Sequence, residues 1–148
     1  MKNEQNAVHI ATAFARLTGK PLAVTSSIGP GCTNLVTGVA QARVNNIPVL
    51  VLPAEAFADA SGPLLQQVEG THPKDVLASN CLKPVSKYWV RLDGPAELMK
   101  RLPEAFEAML DPSDPGPAVI ALPMDSQAFS FDYDLDLLLK PRYRASGR

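Results

Sequence analysis

The chain has 148 residues, a formal net charge of −1, 46% hydrophobic residues and 20% charged ones, which describes one globular domain and excludes a fibrous or low-complexity chain. So balanced a charge gives no general electrostatic case for nucleic acid or an anionic membrane as partner. No apolar run approaches the roughly 20 residues of a membrane span and Met1-Lys2-Asn3-Glu4 does not open a signal peptide, so a cytoplasmic location is expected.

Asn3 is placed to cap a helix from Glu4 to Thr18, where Ala7, Ile10, Ala11, Phe14 and Leu17 recur at helical spacing. Gly19 and Pro21 then stop it. Leu22 to Thr25 and Pro48 to Pro53 read as buried parallel strands, with Asn34 to Asn45 as the crossover helix of one βαβ unit. Between the first strand and that helix lies Ser26-Ser27-Ile28-Gly29-Pro30-Gly31, a turn whose glycines let backbone approach a ligand. It sits at the carboxyl end of a strand, where open α/β sheets bind.

Residues 54–63 read as a loop, Leu64 to Val68 as a short helix, and Pro84 to Val90 as a strand or extended connector. From Pro95 to Leu110 the set Leu98, Met99, Leu102, Phe106, Met109 and Leu110 predicts a helix. Pro103 inside it predicts a kink or a late start, since an interior proline costs about 3 kcal/mol. A turn cluster at 111–116 precedes a buried strand, Pro117 to Pro123, and residues 127–148 read as a linker leaving a domain that spans 1–126. The fold class is therefore α/β, a mostly parallel sheet with helices on both faces. Such a domain ordinarily opens on a strand and this one opens on a helix, so a first strand and helix are expected to be lacking.

Pattern alone gives little chemistry. After Gly29 and Gly31 the sixth position is Asn34, which breaks the dinucleotide fingerprint, and no G-K-[ST] follows for a phosphate loop. Two cysteines and two histidines without a C-x-x-C pair supply no zinc set, so no metal ligands are expected and Cys32 and Cys81 are expected as free thiols. Glu4 reads as a solvated acid at a helix start and His9 as a satisfied helix histidine.

Taken together, Asn3-Glu4-Gln5, His9, Ala15-Arg16-x-Thr18-Gly19, Gly29-Pro30-Gly31-x-Thr33-Asn34-Leu35-Val36-Thr37-Gly38, Ile47-Pro48 and Gly116-Pro117-Ala118-Val119 to Pro123-x-Asp125 resemble the pyrimidine-binding (PYR) domain of thiamine-diphosphate enzymes related to acetolactate synthase. Ser26-Ser27-Ile28 before the Gly-Pro-Gly, Leu52-Pro53 with Phe57-Ala58, Leu65-Gln66-Gln67-Val68-Glu69 and Tyr88-Trp89 are most similar to the trihydroxycyclohexane-1,2-dione hydrolase branch of myo-inositol catabolism. Cys32 departs from the alanine usual in that branch, a modest change of volume in the pocket wall.

The resemblance implies thiamine diphosphate as cofactor. Glu4 would hydrogen-bond N1′ of its aminopyrimidine and relay a proton, aided by burial that raises its pKa. Gly29, Pro30, Gly31 and Asn34 would lie beside the pyrimidine, and His9, Gln66 and Gln67 near cofactor or substrate. Diphosphate and Mg²⁺ would be held by a separate domain carrying a GDG-type motif, which is not in this sequence. The implied activity is C–C cleavage in a 2-oxo or cyclic diketone substrate, a small molecule. An acetolactate synthase-like carboligase or decarboxylase, or a non-catalytic assembly module, are the alternatives. Because the family's site lies between two domains, the isolated chain is expected to be inactive, and a homo-oligomer or a diphosphate-binding domain or subunit is the expected partner.

Overall fold

Asn3 caps the first helix as its side chain predicts. Its Oδ1 accepts from the Gln5 backbone N–H at 2.8 Å, and α1 (Glu4–Thr18) ends at Gly19, whose φ of 71° brings its N–H to the Ala15 carbonyl at 2.8 Å. These details come from a computed structural model that describes residues 1–58 and 77–135. The expected helix at 64–68, with Gln66 and Gln67, lies outside the described residues.

Four strands, β1 (Ala23–Ser26), β2 (Leu50–Glu55), β3 (Tyr88–Arg91) and β4 (Ala118–Pro123), form one sheet in the order β1-β2-β4-β3 with every pair parallel. All carboxyl ends therefore share one edge. Helices cover both faces, as the alternation of elements predicts. On one face Val8, Ala11 and Ala15 of α1, with Val39 and Ala42 of α3 (Val36–Val44), pack on Val24, Val51 and Val119. On the other, α4 (Pro95–Met109) lays Ala105 and Met109 on Ala118 and Ile120.

Several boundaries differ from the sequence reading. Helix begins at once after the glycine turn, as the short α2 (Pro30–Thr33), because proline at the first helical position gives up no needed N–H. Asn34 closes α2 instead of starting the crossover helix. Strand β2 starts at Leu50, after Pro48, and continues past Pro53 to Glu55. Residues Ala78–Val85 form a 3-10 helix, and β3 follows it. Helix α4 starts at Pro95 and runs through Pro103, so a late start is excluded. Beyond β4, Ser126–Ala128 form a 3-10 turn and residues 129–135 are exposed.

The largest correction concerns α1. Its core stripe is Val8, Ala11, Thr12 and Ala15, whereas Ile10, Phe14 and Leu17 of the expected apolar set are exposed, Leu17 to 86%. Close approach to α3 explains the choice of small side chains. A Cβ on Gly38 would stand 2.6 Å from Val8 Cβ, and both atoms are fixed to backbone. Helix propensity favours Gly38→Ala by about 1 kcal/mol, but overpacking at the upper end of its usual 1–3 kcal/mol outweighs it. A net loss of about 1–2 kcal/mol is expected in urea denaturation, and an unchanged midpoint would show that α1 can move off freely.

Asp114 ties three segments together. Arg43 of α3 donates to both its carboxylate oxygens at 2.9 and 3.2 Å, and Lys87 ahead of β3 donates to Oδ2. Hydrogen bonds from Arg43 and then Lys87 hold the carboxyl at about 2, down from 3.8. Because the folded value is depressed, this contribution is present above about pH 4 and is lost as pH falls toward 2. Asp114→Asn is expected to flatten the acid limb of stability between those values, followed by thermal melts across pH; an unaltered limb would assign acid sensitivity to other carboxylates.

Candidate functional site

The carboxyl edge of β1 and the start of α1 come together because α1 runs antiparallel to the strand that follows it. Glu4, in the first turn of α1, and Ser26, the last residue of β1, both line an open cavity of about 330 Å³ with Met1, Asn3, Ala7, Thr25 and Ser27. Alternation along β1 turns Val24 and Ser26 inward and leaves Ala23 and Thr25 exposed.

The glycine turn closes beside this cavity. Gly29 has φ 59° and ψ −116°, a conformation that L side chains rarely adopt. Gly31 is buried, and a Cβ there would collide with Ser27 Oγ and stand 3.2 Å from Glu4 Oε1. The turn is thus a cradle that only glycine leaves open for the carboxylate. Asn34, freed from the helix start by the break between α2 and α3, donates from Nδ2 to Glu4 Oε2 at 3.0 Å.

That contact decides the charge of Glu4. The Asn34 amide, and next the backbone hydrogen bond of Glu4, hold its carboxyl below the ordinary 4.5, outweighing desolvation. The expected rise through burial is therefore not found: Glu4 is only partly buried, and hydrogen bonding to the charged form dominates.

Glu4, Gly31 and Asn34 are brought together, with Gly29 and Pro30 framing the turn. His9 lies further along α1, its Nε2 3.0 Å from the Gln5 amide, and is not among the residues around the cavity. Gln66 and Gln67 lie outside the described residues. Cys32 is buried in α2 and Cys81 is half-buried, and the two are not joined in a disulfide.

Two features escaped the sequence reading. Ser26 is 9% exposed and its Oγ has no hydrogen-bond partner; only its place at an inward strand position could have flagged it. Glu55, fully buried at the end of β2, accepts from Arg91 Nε and Ser79 Oγ, while Arg91 Nη1 donates to Asp93 at 2.8 Å and Nη2 to the Phe57 carbonyl at 3.3 Å. A charged residue placed after the predicted end of a strand gave no sign of burial.

An aminopyrimidine fits the cavity residues. Glu4 offers a carboxylate, and the glycine cradle removes the Cβ that would block it. The described residues that line the cavity include no basic side chain, though the α-amino group of Met1 is near enough to favour the Glu4 carboxylate, and among the described residues no group of three or more His, Cys, Asp or Glu is placed to hold a metal.

Residues 1–78 match the family described as thiamine pyrophosphate enzyme, N-terminal TPP binding domain. The chain belongs to that family. It is also 44% identical over 142 residues to 3D-(3,5/4)-trihydroxycyclohexane-1,2-dione hydrolase of Shouchella clausii, covering 94% of this chain and 22% of that protein. The enzyme of the same name from Bacillus subtilis is 42% identical over the same shares, and that of Clostridium botulinum 44% identical over 135 residues, 89% of this chain and 21% of that one. The chain thus spans about a fifth of the length of these curated relatives. The sequence resemblance to the PYR domain is borne out, as is the parallel α/β fold expected from it. Among the described residues no helix is long and apolar enough to cross a membrane.

Proposed function

We propose that this chain is the pyrimidine-binding half of a thiamine-diphosphate enzyme that opens a cyclic diketone by C–C cleavage, in the manner that the names of its relatives indicate. The observation that carries this reading is the Glu4 carboxylate, held by Asn34 against the Gly31 cradle at an open cavity. When bound, thiamine diphosphate supplies the electron sink that cleavage next to a carbonyl requires. The protein's part is to seat the ring and to hold a proton at Glu4. Covering Glu4 with a flat ring removes water from the carboxylate, which opposes the effect of Asn34 and moves its pKa up toward neutrality. Gly29, Pro30 and Gly31 supply the surface against which the ring rests, and His9 stands one turn further along α1 as a candidate for the substrate side.

With no basic side chain among the described residues that line the cavity, the diphosphate and Mg²⁺ are assigned to a second domain or subunit, and the working site forms between the two. A homo-oligomer or a complex with a diphosphate-binding subunit in the cytoplasm is the expected assembly. The exposed stripe Ile10, Phe14 and Leu17 favours a second reading, in which the isolated chain serves assembly and performs no chemistry.

Reconstitution separates the two. The chain is combined with the remainder of the B. subtilis hydrolase, lacking its matching segment, and dione ring opening is followed with thiamine diphosphate and Mg²⁺. Turnover that needs both parts supports the catalytic reading. A stable complex that binds the cofactor but leaves the dione intact, or acts instead on 2-oxo acids, would sink the hydrolase assignment.

A further inference from the structure

We propose that Asp125, together with Arg91, is a positioning residue of the site. The two hold opposite ends of the peptide joining Phe57 to Ala58, and that peptide walls the site on the side away from Glu4, where the substrate sits. This rests on reading the Glu4 cavity as the cofactor's part of the site. The Ala58 N–H donates to both carboxylate oxygens of Asp125, at 2.9 and 3.1 Å. The carbonyl of the same peptide, that of Phe57, accepts from Arg91 Nη2 at 3.3 Å. A negative group on the N–H and a positive group on the carbonyl fix the plane of a peptide that lies outside every helix and strand. Both anchors are themselves held. Asp125 also accepts from the Ser126 N–H at 2.9 Å, and Arg91, its side chain 9% exposed, pairs with Glu55.

The place of this peptide gives it a role beyond stability. Chain order runs outward from β1 to β2 to β3, whereas β4 returns between β2 and β3 by way of α4, which lies on the face opposite α1 and α3. Open α/β sheets bind their ligands at the carboxyl edge where the strand order reverses. Arg91 at the end of β3, Asp125 beyond β4 and the peptide beyond β2 converge on that point. The strand paired with β1 is β2, with Ser26 opposite Pro53. Since adjacent strands lie about 4.8 Å apart, the chain leaving β2 flanks a ligand that extends beyond the Glu4 cavity. A peptide whose N–H and carbonyl are both engaged has no proton to give, so it contributes shape and binding, not acid–base chemistry.

Steady-state kinetics of the reconstituted enzyme, with amide NMR and melting of the full chain, provide the test. Asp125→Ala is expected to raise KM for the dione about tenfold, the worth of one charge-assisted hydrogen bond, and to leave kcat within about twofold, the pattern of lost uniform binding. Asp125→Asn keeps an oxygen that can accept from Ala58 and should return KM to within about threefold of the parent. In the full chain the Ala58 amide should exchange faster in Asp125→Ala than in Asp125→Asn. Should the alanine variant fail to fold, Asp125→Glu, which keeps the charge but moves it by one methylene, takes its place with the same expected rise in KM. Asp114→Ala, which loosens Arg43 and Lys87 at the opposite edge of the sheet, should lower the melting temperature and leave KM unchanged. An Asp125→Ala enzyme that melts lower but keeps its KM would make Asp125 a structural tie and overturn the proposal. So would a loss confined to kcat, or an Asn variant no better than the Ala variant. If the parent acts on a 2-oxo acid and not on the dione, the hydrolase reading falls, and the same KM comparison on that acid decides the role of Asp125.

Discussion

Glu4→Gln is expected to lower turnover of the reconstituted enzyme by about 10²–10⁴-fold, the usual cost of removing a positioned acid–base group. The substitution is nearly isosteric. The amide oxygen of glutamine can still accept from Asn34, which reaches Glu4 Oε2 at 3.0 Å, so the link between α1 and the α2–α3 break survives. What disappears is the carboxyl that, once a bound ring shields it from water, would hold and release the proton. Since the side chain is only partly buried, little stability depends on its charge. Circular dichroism and melting temperature should match the parent, which separates lost chemistry from lost fold. A drop in turnover of less than tenfold would remove Glu4 from the proton path and leave it a structural acid at a helix start.

The largest effect on stability is expected at Arg91, where substitution by alanine should cost about 3–5 kcal/mol, the range for breaking a buried ion pair by removing one partner. Glu55 is fully buried and the Arg91 side chain is only 9% exposed, so water cannot readily replace the guanidinium. Against a total stability of about 5–15 kcal/mol, that is a large fraction. Arg91 also donates to the Phe57 carbonyl and to Asp93, so the loss reaches the backbone after β2 and after β3. The deficit has a predicted pH dependence. Without the guanidinium the Glu55 carboxyl keeps its hydrogen bond from Ser79 but loses that counter-charge, so desolvation disfavours its charged form, and the penalty applies above the ordinary glutamate value and shrinks below about pH 4. Adding Glu55→Gln to Arg91→Ala should restore part of the loss by removing the buried charge. Chemical denaturation of the three variants at two pH values tests this. A single substitution costing under 1 kcal/mol would mean that the pair is hydrated in solution.

Proximity of the first helix to the glycine turn was only partly legible in the sequence. Asn3 and Gly19 mark the limits of α1 by local chemistry, a side-chain cap and a left-handed residue, and local chemistry can be read in order. The face of α1 could not be read so. The expected set Ala7, Ile10, Ala11, Phe14 and Leu17 and the stripe Val8, Ala11, Thr12 and Ala15 share only Ala11 and both satisfy helical spacing, and the bulkier set looks like the better core. Only the approach of α3, with Gly38 against Val8, selects the smaller one. Pro53 misled in a similar way. A proline normally lies at a strand end, but pairing of Ala54 and Glu55 with Leu122 and Pro123 of β4 carries β2 two residues further, and so Glu55 becomes a buried residue.

The sequence by itself determined the parallel α/β class and the family, and singled out Glu4, Gly29, Pro30, Gly31 and Asn34, with His9, Gln66 and Gln67, as the residues to watch, because capping, strand composition and a motif are written in contiguous residues. Tertiary structure alone decided what those residues do to one another. It set Asn34 against Glu4 across 30 positions, lowered the carboxyl's pKa where burial was expected to raise it, and left the Ser26 hydroxyl without a hydrogen-bond partner. Hydrogen bonding and desolvation depend on distances between segments, and those distances exist only once α1, β1 and the glycine turn are packed together.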